Sequence, residues 1–174
     1  MGRLNFFQGR QKNPLFLSNF CYIKPIKIKK GGLGYMEIEG YFFPDDLYYH
    51  KEHFWAKVET NQVTMGINDF AQKLAGQIVF VELPSKGKTV EQGKPCGSME
   101  SGKWVGRIYA VLSGKVESFN QDLEENPEFI NDSPYEKGWI CKITPSNLQE
   151  EPKNLMQGDS LKEFIKSEIL RVKK

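Results

Sequence analysis

The run Gly97-Ser98-Met99-Glu100-Ser101-Gly102-Lys103-Trp104 sets one lysine in a polar turn between two apolar, strand-like stretches. A primary amine in such a place can serve as a covalent attachment point. A carrier arm must be tethered at one end and free at the other, so its lysine should protrude from a tight turn held by rigid strands. Gly97 and Gly102 are expected to permit that turn without steric cost. Upstream lies Gly87-Lys88-Thr89-Val90-Glu91-Gln92-Gly93-Lys94-Pro95, and downstream Ile108-Tyr109-Ala110-Val111-Leu112-Ser113-Gly114-Lys115-Val116. Each contains a Gly-Lys pair leading into a Val-containing strand, so the flanks read as related half-units on either side of the lysine.

The other reactive side chains offer less. His50 and His53 stand three apart, but no third ligand follows at a suitable spacing, so they read as structural or surface residues. Cys21, Cys96 and Cys141 show neither paired nor metal-like spacing, and their odd number argues against a disulfide framework and for a reducing compartment. Neither histidine nor any cysteine falls in a nucleophile–base motif, so nothing supports a transferase active site.

Glu100-Ser101-Gly102-Lys103 resembles the Glu-Ser-x-Lys lipoyl-attachment motif of the glycine cleavage system H protein family. The likeness continues in order on both sides. It runs through Phe43-Pro44-Asp45-Asp46-Leu47-Tyr48-Tyr49, His53-Phe54-Trp55, Gly66-Ile67-Asn68-Asp69-Phe70-Ala71-Gln72 and Val79-Phe80-Val81-Glu82-Leu83-Pro84. Past the lysine it resumes at Ser113-Gly114-Lys115-Val116, Pro127-Glu128-Phe129-Ile130-Asn131 and Ser133-Pro134-Tyr135-Glu136-Lys137-Gly138-Trp139-Ile140, so that it spans residues 42–165.

The resemblance implies a non-catalytic carrier with lipoate in amide linkage to Lys103, whose dithiolane accepts and releases a group by thiol exchange. Glu100, Ser101, Gly102 and Gly114 would form the context in which a lipoate ligase or octanoyltransferase finds the lysine. His53, Phe54, Trp104 and Arg107 would border the arm or its cargo. Partners would be the glycine cleavage P, T and L proteins, and the cargo an aminomethyl group. Two departures point elsewhere: Phe54 and Arg107 stand where the family typically has Glu and commonly Asp, carboxylates understood to hold the cargo amine. A charge pair at 4 Å is worth about 4 kcal/mol at an effective dielectric near 20 and about 1 kcal/mol at an open, screened cleft. The departure reverses that sign, and an arginine's planar donors suit an oxyanion. The alternative is an H-like lipoate-binding protein carrying a sulfur intermediate for a heterodisulfide-reductase-like complex, and a third reading is an unmodified interaction module. Gly102-Lys103-Trp104 in place of the usual Val-Lys-Ala, and Ala110-Val111 where a proline is usual, also depart from the pattern.

Composition sets outer bounds. Hydrophobic residues make up 39% and charged residues 26%, a globular balance, and no apolar run reaches membrane-spanning length. The net charge of +2 hides an asymmetry: residues 1–35 hold seven of the 24 Lys and Arg and none of the 22 Asp and Glu, leaving the remainder at −5. A basic excess confined to one tail argues against nucleic acid as a partner. Three readings compete for that N-terminal extension: a transit peptide to a mitochondrial or plastid matrix, a segment preceding a true start at Met36, or an ordered arm. Without a transit peptide, the expected location is the cytoplasm.

Residues 36–174 form the expected lipoyl domain, in which many short strands must hold the lysine turn. Trp55 to Glu59 and the alternating Val63, Met65 and Ile67 predict a half-buried hairpin. Asn68 or Asp69 caps a short helix with Phe70 and Leu74 on one face, and Gly76 stops it. Ile78-Val79-Phe80-Val81 predicts a buried strand closed by Pro84, and two more strands flank Lys103. Asn120 to Asn131 reads as a loop with a helical turn, and Gly138 to Ile143 as the last strand. A C-terminal helix over 160–171 follows from the capping-box spacing of Ser160 and Glu163 and the shared face of Leu161, Phe164, Ile165 and Ile169. The fold class is mainly β. It agrees with the hybrid barrel-sandwich that the resemblance implies, with short edge helices and a C-terminal helix.

Overall fold

The computed structural model describes residues 34–173. Residues 1–33, which make up nearly all of the basic extension and include Cys21, lie outside the described residues. The chain runs through β1 (Tyr35–Ile38), β2 (Tyr41–Pro44), β3 (Tyr48–Tyr49), β4 (Phe54–Val58), β5 (Val63–Ile67), α1 (Asp69–Ala75), β6 (Ile78–Glu82) and β7 (Thr89–Val90). It continues with β8 (Pro95–Ser101), β9 (Trp104–Tyr109), β10 (Gly114–Phe119), α2 (Asp122–Glu125), α3 (Phe129–Asp132), β11 (Cys141–Pro145) and α4 (Gly158–Val172).

The larger sheet has the order β3-β4-β5-β11-β10-β7, and a three-stranded sheet has the order β6-β8-β9. Between them lies the main core, including Phe54, Met65, Val81, Met99, Ile108, Val111, Leu112, Val116 and Ile143. This is the mainly β sandwich that the alternation of apolar residues requires, since alternate residues along a strand face the same side. β4 shows the period plainly: Phe54 and Ala56 enter the main core, whereas Trp55 faces the other way. There it joins Phe43, Tyr49, Phe70, Leu161, Ile165 and Ile169 in a second cluster under α4. The two Gly-Lys half-units meet side by side, with Gly114 opposite Val90 and Lys115 opposite Thr89 in the β7–β10 pair.

Most expected elements are present, with three differences. The strand over 78–81 is not buried throughout: a bulge between Ile78 and Phe80 leaves Val79 58% and Phe80 52% exposed. The last strand begins at Cys141, because the Gly138 and Trp139 amides are bonded back to the Ser133 and Glu136 carbonyls of the preceding turn. The C-terminal helix starts at Gly158, and Ser160 is its third residue rather than its cap. The capping box is formed by Gln157 and Ser160, not by Ser160 and Glu163. The expected apolar face is correct, with Leu161, Ile165 and Ile169 buried and Phe164 packed beside them. Among the described residues no helix is long and apolar enough to cross a membrane.

Candidate functional site

Lys103 sits at the tip of the β8–β9 hairpin. Ser101 pairs with Trp104, so Gly102 and Lys103 alone make the turn, and both are exposed. Neither takes a left-handed φ, and a side chain at position 102 would meet open space. The turn therefore does not depend on glycine there. Gly97 is not in the turn at all: it lies in β8, where the Glu82 carbonyl leaves no room for a side chain.

The turn is pinned from below. The buried Ser101 hydroxyl donates to the Ala75 carbonyl at 2.7 Å and accepts from the Lys103 amide at 3.4 Å. Ala75 ends α1, where Gly76 turns the chain with φ 79° and its amide donates to the Gln72 carbonyl. Asn131 locks this corner: its amide group donates to the Gly76 carbonyl at 3.0 Å and to Gln72 Oε1 at 2.9 Å, and its Oδ1 accepts from the Ile78 amide at 2.8 Å. The aliphatic stem of Lys103 lies across Gly76, where an added Cβ would come within 2.9 Å of the lysine Cε. An exposed amine, a pinned turn and a bare backbone under the stem are what a lysine with an acyl arm requires.

The hairpin sheet has two unlike faces. Trp104 and Gly106 belong to the inner face, and the Trp104 ring lies directly over Gly106, in the space a side chain would fill. Trp104 thereby packs on the main core and seals the strand end. The outer face carries two cross-strand rows, Phe80–Glu100–Val105 and Glu82–Ser98–Arg107. Arg107 is exposed, and no ion pair holds it among the described residues.

Three expected site residues occupy other surroundings. His53 is buried, with φ 66°, between the rings of Phe70 and Phe164 at centroid distances of 5.2 and 5.3 Å, and its Nε2 lies 3.3 Å from Glu168 Oε2. That contact, with the charges of His53 and Arg171, lowers the Glu168 pKa against the opposing effect of burial. Phe54 is 1% exposed, because strand parity turns it into the main core. Neither residue lines an open cleft. Gly114 is buried between β7 and β11, with the Thr144 carbonyl and Ile143 against its Cα, so it spaces the sheet rather than offering a surface to an enzyme.

Other residues carry more than the sequence signalled. Glu52 is buried, and its Oε2 has no hydrogen-bond partner among the described residues. Burial raises its pKa, Glu168 adds to the rise, and Lys51 and Arg171 oppose it. The Tyr109 pKa is raised by burial and then by Glu52, with Arg107 opposing. Glu52, Tyr109 and Arg107 thus share one electrostatic neighbourhood at the far end of β9. A charged residue inside the aromatic stretch 47–55 was the available signal for Glu52; nothing in one sequence could have shown Asn131 as the clamp. His50 Nδ1 accepts from the Glu52 amide at 3.2 Å, and among the described residues no group of three or more His, Cys, Asp or Glu could hold a metal.

A rigid β sandwich presenting one amine at a pinned hairpin tip defines a carrier domain of the barrel-sandwich hybrid type. The glycine cleavage H-protein family model matches residues 47–168. The glycine cleavage system H protein of Halalkalibacterium halodurans is 49% identical over 125 residues, covering 72% of this chain and 97% of that protein. That of Bacillus licheniformis is 46% identical over 125 residues, covering 72% and 98%. The crystal structure of a glycine cleavage system H protein from Mycobacterium marinum superposes with a TM-score of 0.64 at 30% identity, covering 72% of this chain and 98% of that one. The chain belongs to the glycine cleavage H-protein family. Its role is that of a lipoyl carrier in the glycine cleavage system, a non-catalytic component of a multienzyme assembly.

Proposed function

We propose that Lys103 bears a lipoyl group in amide linkage. The chain then carries the aminomethyl group of glycine decarboxylation between the P, T and L proteins in the cytoplasm. The observation that carries this reading is the placement of Lys103: one of two exposed residues in a turn fastened through Ser101 to the end of α1. Glu100, Ser101 and Gly102 give a lipoate ligase or octanoyltransferase its approach. When bound, lipoate supplies a dithiol that accepts and releases the carried group.

The protein's own residues define where the free end of the arm can rest. Along β9 from Lys103, the exposed outer-face positions are Val105 and Arg107, and Arg107 is about 13 Å from the tether at strand rise, whereas Tyr109 packs on the main core beside Phe54. Beyond it stands Glu52, which restores at position 52 the carboxylate that Phe54 lacks. Its Oε2 is buried with no hydrogen-bond partner among the described residues, a state that a cationic amine reaching it would stabilise. A second reading rests on Arg107: unconstrained by any ion pair among the described residues, it would instead favour an anionic sulfur intermediate and a heterodisulfide-reductase-like partner.

Mass spectrometry of the protein from its source tests the first claim. A lipoyl or octanoyl adduct on the Lys103 peptide is expected, and none in Lys103→Arg. An unmodified Lys103 in cells that lipoylate their other carriers would leave an interaction module as the better account. Loading by P protein with glycine separates the cargoes: efficient aminomethyl transfer, lost on Glu52→Gln, supports the amine, whereas failure with intact lipoyl-Lys103 supports the anion.

A further inference from the structure

We infer that the acidic and apolar face formed by α2, α3 and β6 is the docking surface for this chain's own basic extension, residues 1–33, a contact separate from the carrier chemistry at Lys103.

Glu39, Glu59, Asp69, Glu150 and Glu168 each have a basic partner within the domain. Residues 120–136 are unlike them, with six acids and no Lys or Arg. Asp122, Glu124, Glu125, Glu128 and Asp132 fall on or beside α2 and α3, and none makes an ion pair among the described residues. The nearest base in the sequence, Lys137, lies over the Phe129 ring instead. Glu124 and Glu125 stand at the carbonyl end of α2 and Asp132 at that of α3, and neither helix has a basic residue in its last turn. Negative charge is unfavourable at such an end, and a cation there is stabilising.

An acid run alone is an ordinary solvated face, but this one borders bare apolar surface. α2 packs on β6, and the Ile78 amide donates to Asn131 of α3. Just past that bond, the bulge in β6 leaves Val79 and Phe80 in water. Adjacent exposed apolar side chains rimmed by charge of one sign mark a contact surface for a partner that is apolar and of the opposite sign.

Residues 1–33 have that composition. They hold seven Lys and Arg and no Asp or Glu, with Phe6-Phe7 and Pro14-Leu15-Phe16-Leu17 between the charges, whereas residues 36–174 carry a net −5. The extension joins the domain at Gly34, whose carbonyl accepts from the Asp45 amide. Thirty-three residues reach at most about 110 Å, against a radius of gyration of about 14 Å for a domain of this size, so the face is within range. Tethering makes the encounter intramolecular, and modest affinity is then enough. Asn131 also locks the corner under the lysine turn, so a seated extension would lie beside Lys103.

Paramagnetic relaxation in the full chain tests this, with a nitroxide on Cys21, since Cys96 and Cys141 are buried. The amide signals of Val79, Phe80, Glu124 and Glu128 are expected to lose about half their intensity or more, as a tethered contact of modest affinity gives. Thr60 and Asn61 should keep theirs: they lie beyond Val58 and Val63, at the end of the larger sheet opposite Phe119 and α2. The loss should weaken between about 0.1 and 1 M salt, as the screening length falls from about 10 to 3 Å. It should vanish in Glu124→Gln/Glu125→Gln/Asp132→Asn, whose thermal midpoint should match or exceed the parent's because all three side chains are exposed. It should vanish equally in Lys27→Glu/Lys29→Glu/Lys30→Glu, which alters no residue of the domain. Full intensity at the four amides, an equal loss at Thr60 and Asn61, or a loss unmoved in both triple variants would overturn the inference. So would a loss seen only when nitroxide-bearing chains are mixed with unlabelled isotopic ones, since the extension would then sit on a second copy.

Discussion

Two hairpins among the described residues reverse over two residues, and they do so by opposite means. Between β1 and β2, Ile38 pairs with Tyr41, and the turn residues Glu39 and Gly40 both have positive φ, 53° and 84°. That is the conformation whose twist matches the flanking strands, so the backbone closes the turn by itself. Between β8 and β9, neither Gly102 nor Lys103 has positive φ. This reversal is held from outside, by Ser101 on the end of α1 and by Trp104 folded over Gly106. A turn that must expose a modifiable lysine gains from such support, since an L residue is not forced into the left-handed region and the tip position follows the rigid body beneath it.

The comparison can be sharpened from the largest effect downward. Acid acts on neither turn and sets the scale for the whole domain. Burial, with the charges of Lys51 and His53, lowers His50 from 6.5 to about 4. The unfolded chain therefore binds the extra proton first, and stability present above pH 6.5 is lost as pH falls towards 4, by about 3 kcal/mol. The lowered Glu168 acts in the same direction. Denaturant midpoints measured across that window should fall, and His50→Gln should flatten the slope.

Next is the support under the lysine turn. Gly106→Ala puts a methyl group where the Trp104 ring lies and should cost about 2 kcal/mol by overpacking. A red shift in tryptophan emission would show the ring leaving its seat, and an unchanged spectrum would refute this account of how the strand end is sealed. The two turns themselves should then respond differently to the same change. Gly40→Ala forces an L residue to φ 84° and should cost about 1–2 kcal/mol, whereas Gly102→Ala should stay within about 0.5 kcal/mol of the parent or stabilise slightly. Equal costs in chemical denaturation would erase the contrast. Ser101→Ala removes the donor to Ala75 and should cost about 1 kcal/mol. Faster amide exchange at Lys103, with no change in the β1–β2 turn, would locate the loss.

Much of this fold was legible because strand and helix periods are local. The alternation at Val63, Met65 and Ile67, the Asn68 cap and the Gly76 stop all match the structure, since each depends on neighbours a few residues away. The exposed Phe80 was not legible. A run of four apolar residues reads as buried, and only the bulge against β8 shows which of them face solvent. The His53–Phe54 pair misled for a related reason: similarity to cleft positions carries no parity, and one strand step decides between surface and core.

The amino-acid sequence by itself determined that this chain presents one lysine from a short polar turn on a mainly β domain, because residue spacing and turn chemistry act within the hairpin. Tertiary structure alone decided what holds the turn, which carboxylate is buried without a hydrogen-bond partner among the described residues and which hydrophobic residues remain in water. Those depend on contacts such as Ser101 to Ala75, Asn131 to Gly76, and Phe80 beside Glu100 and Val105. Such contacts join residues distant along the chain, and no local pattern encodes their meeting.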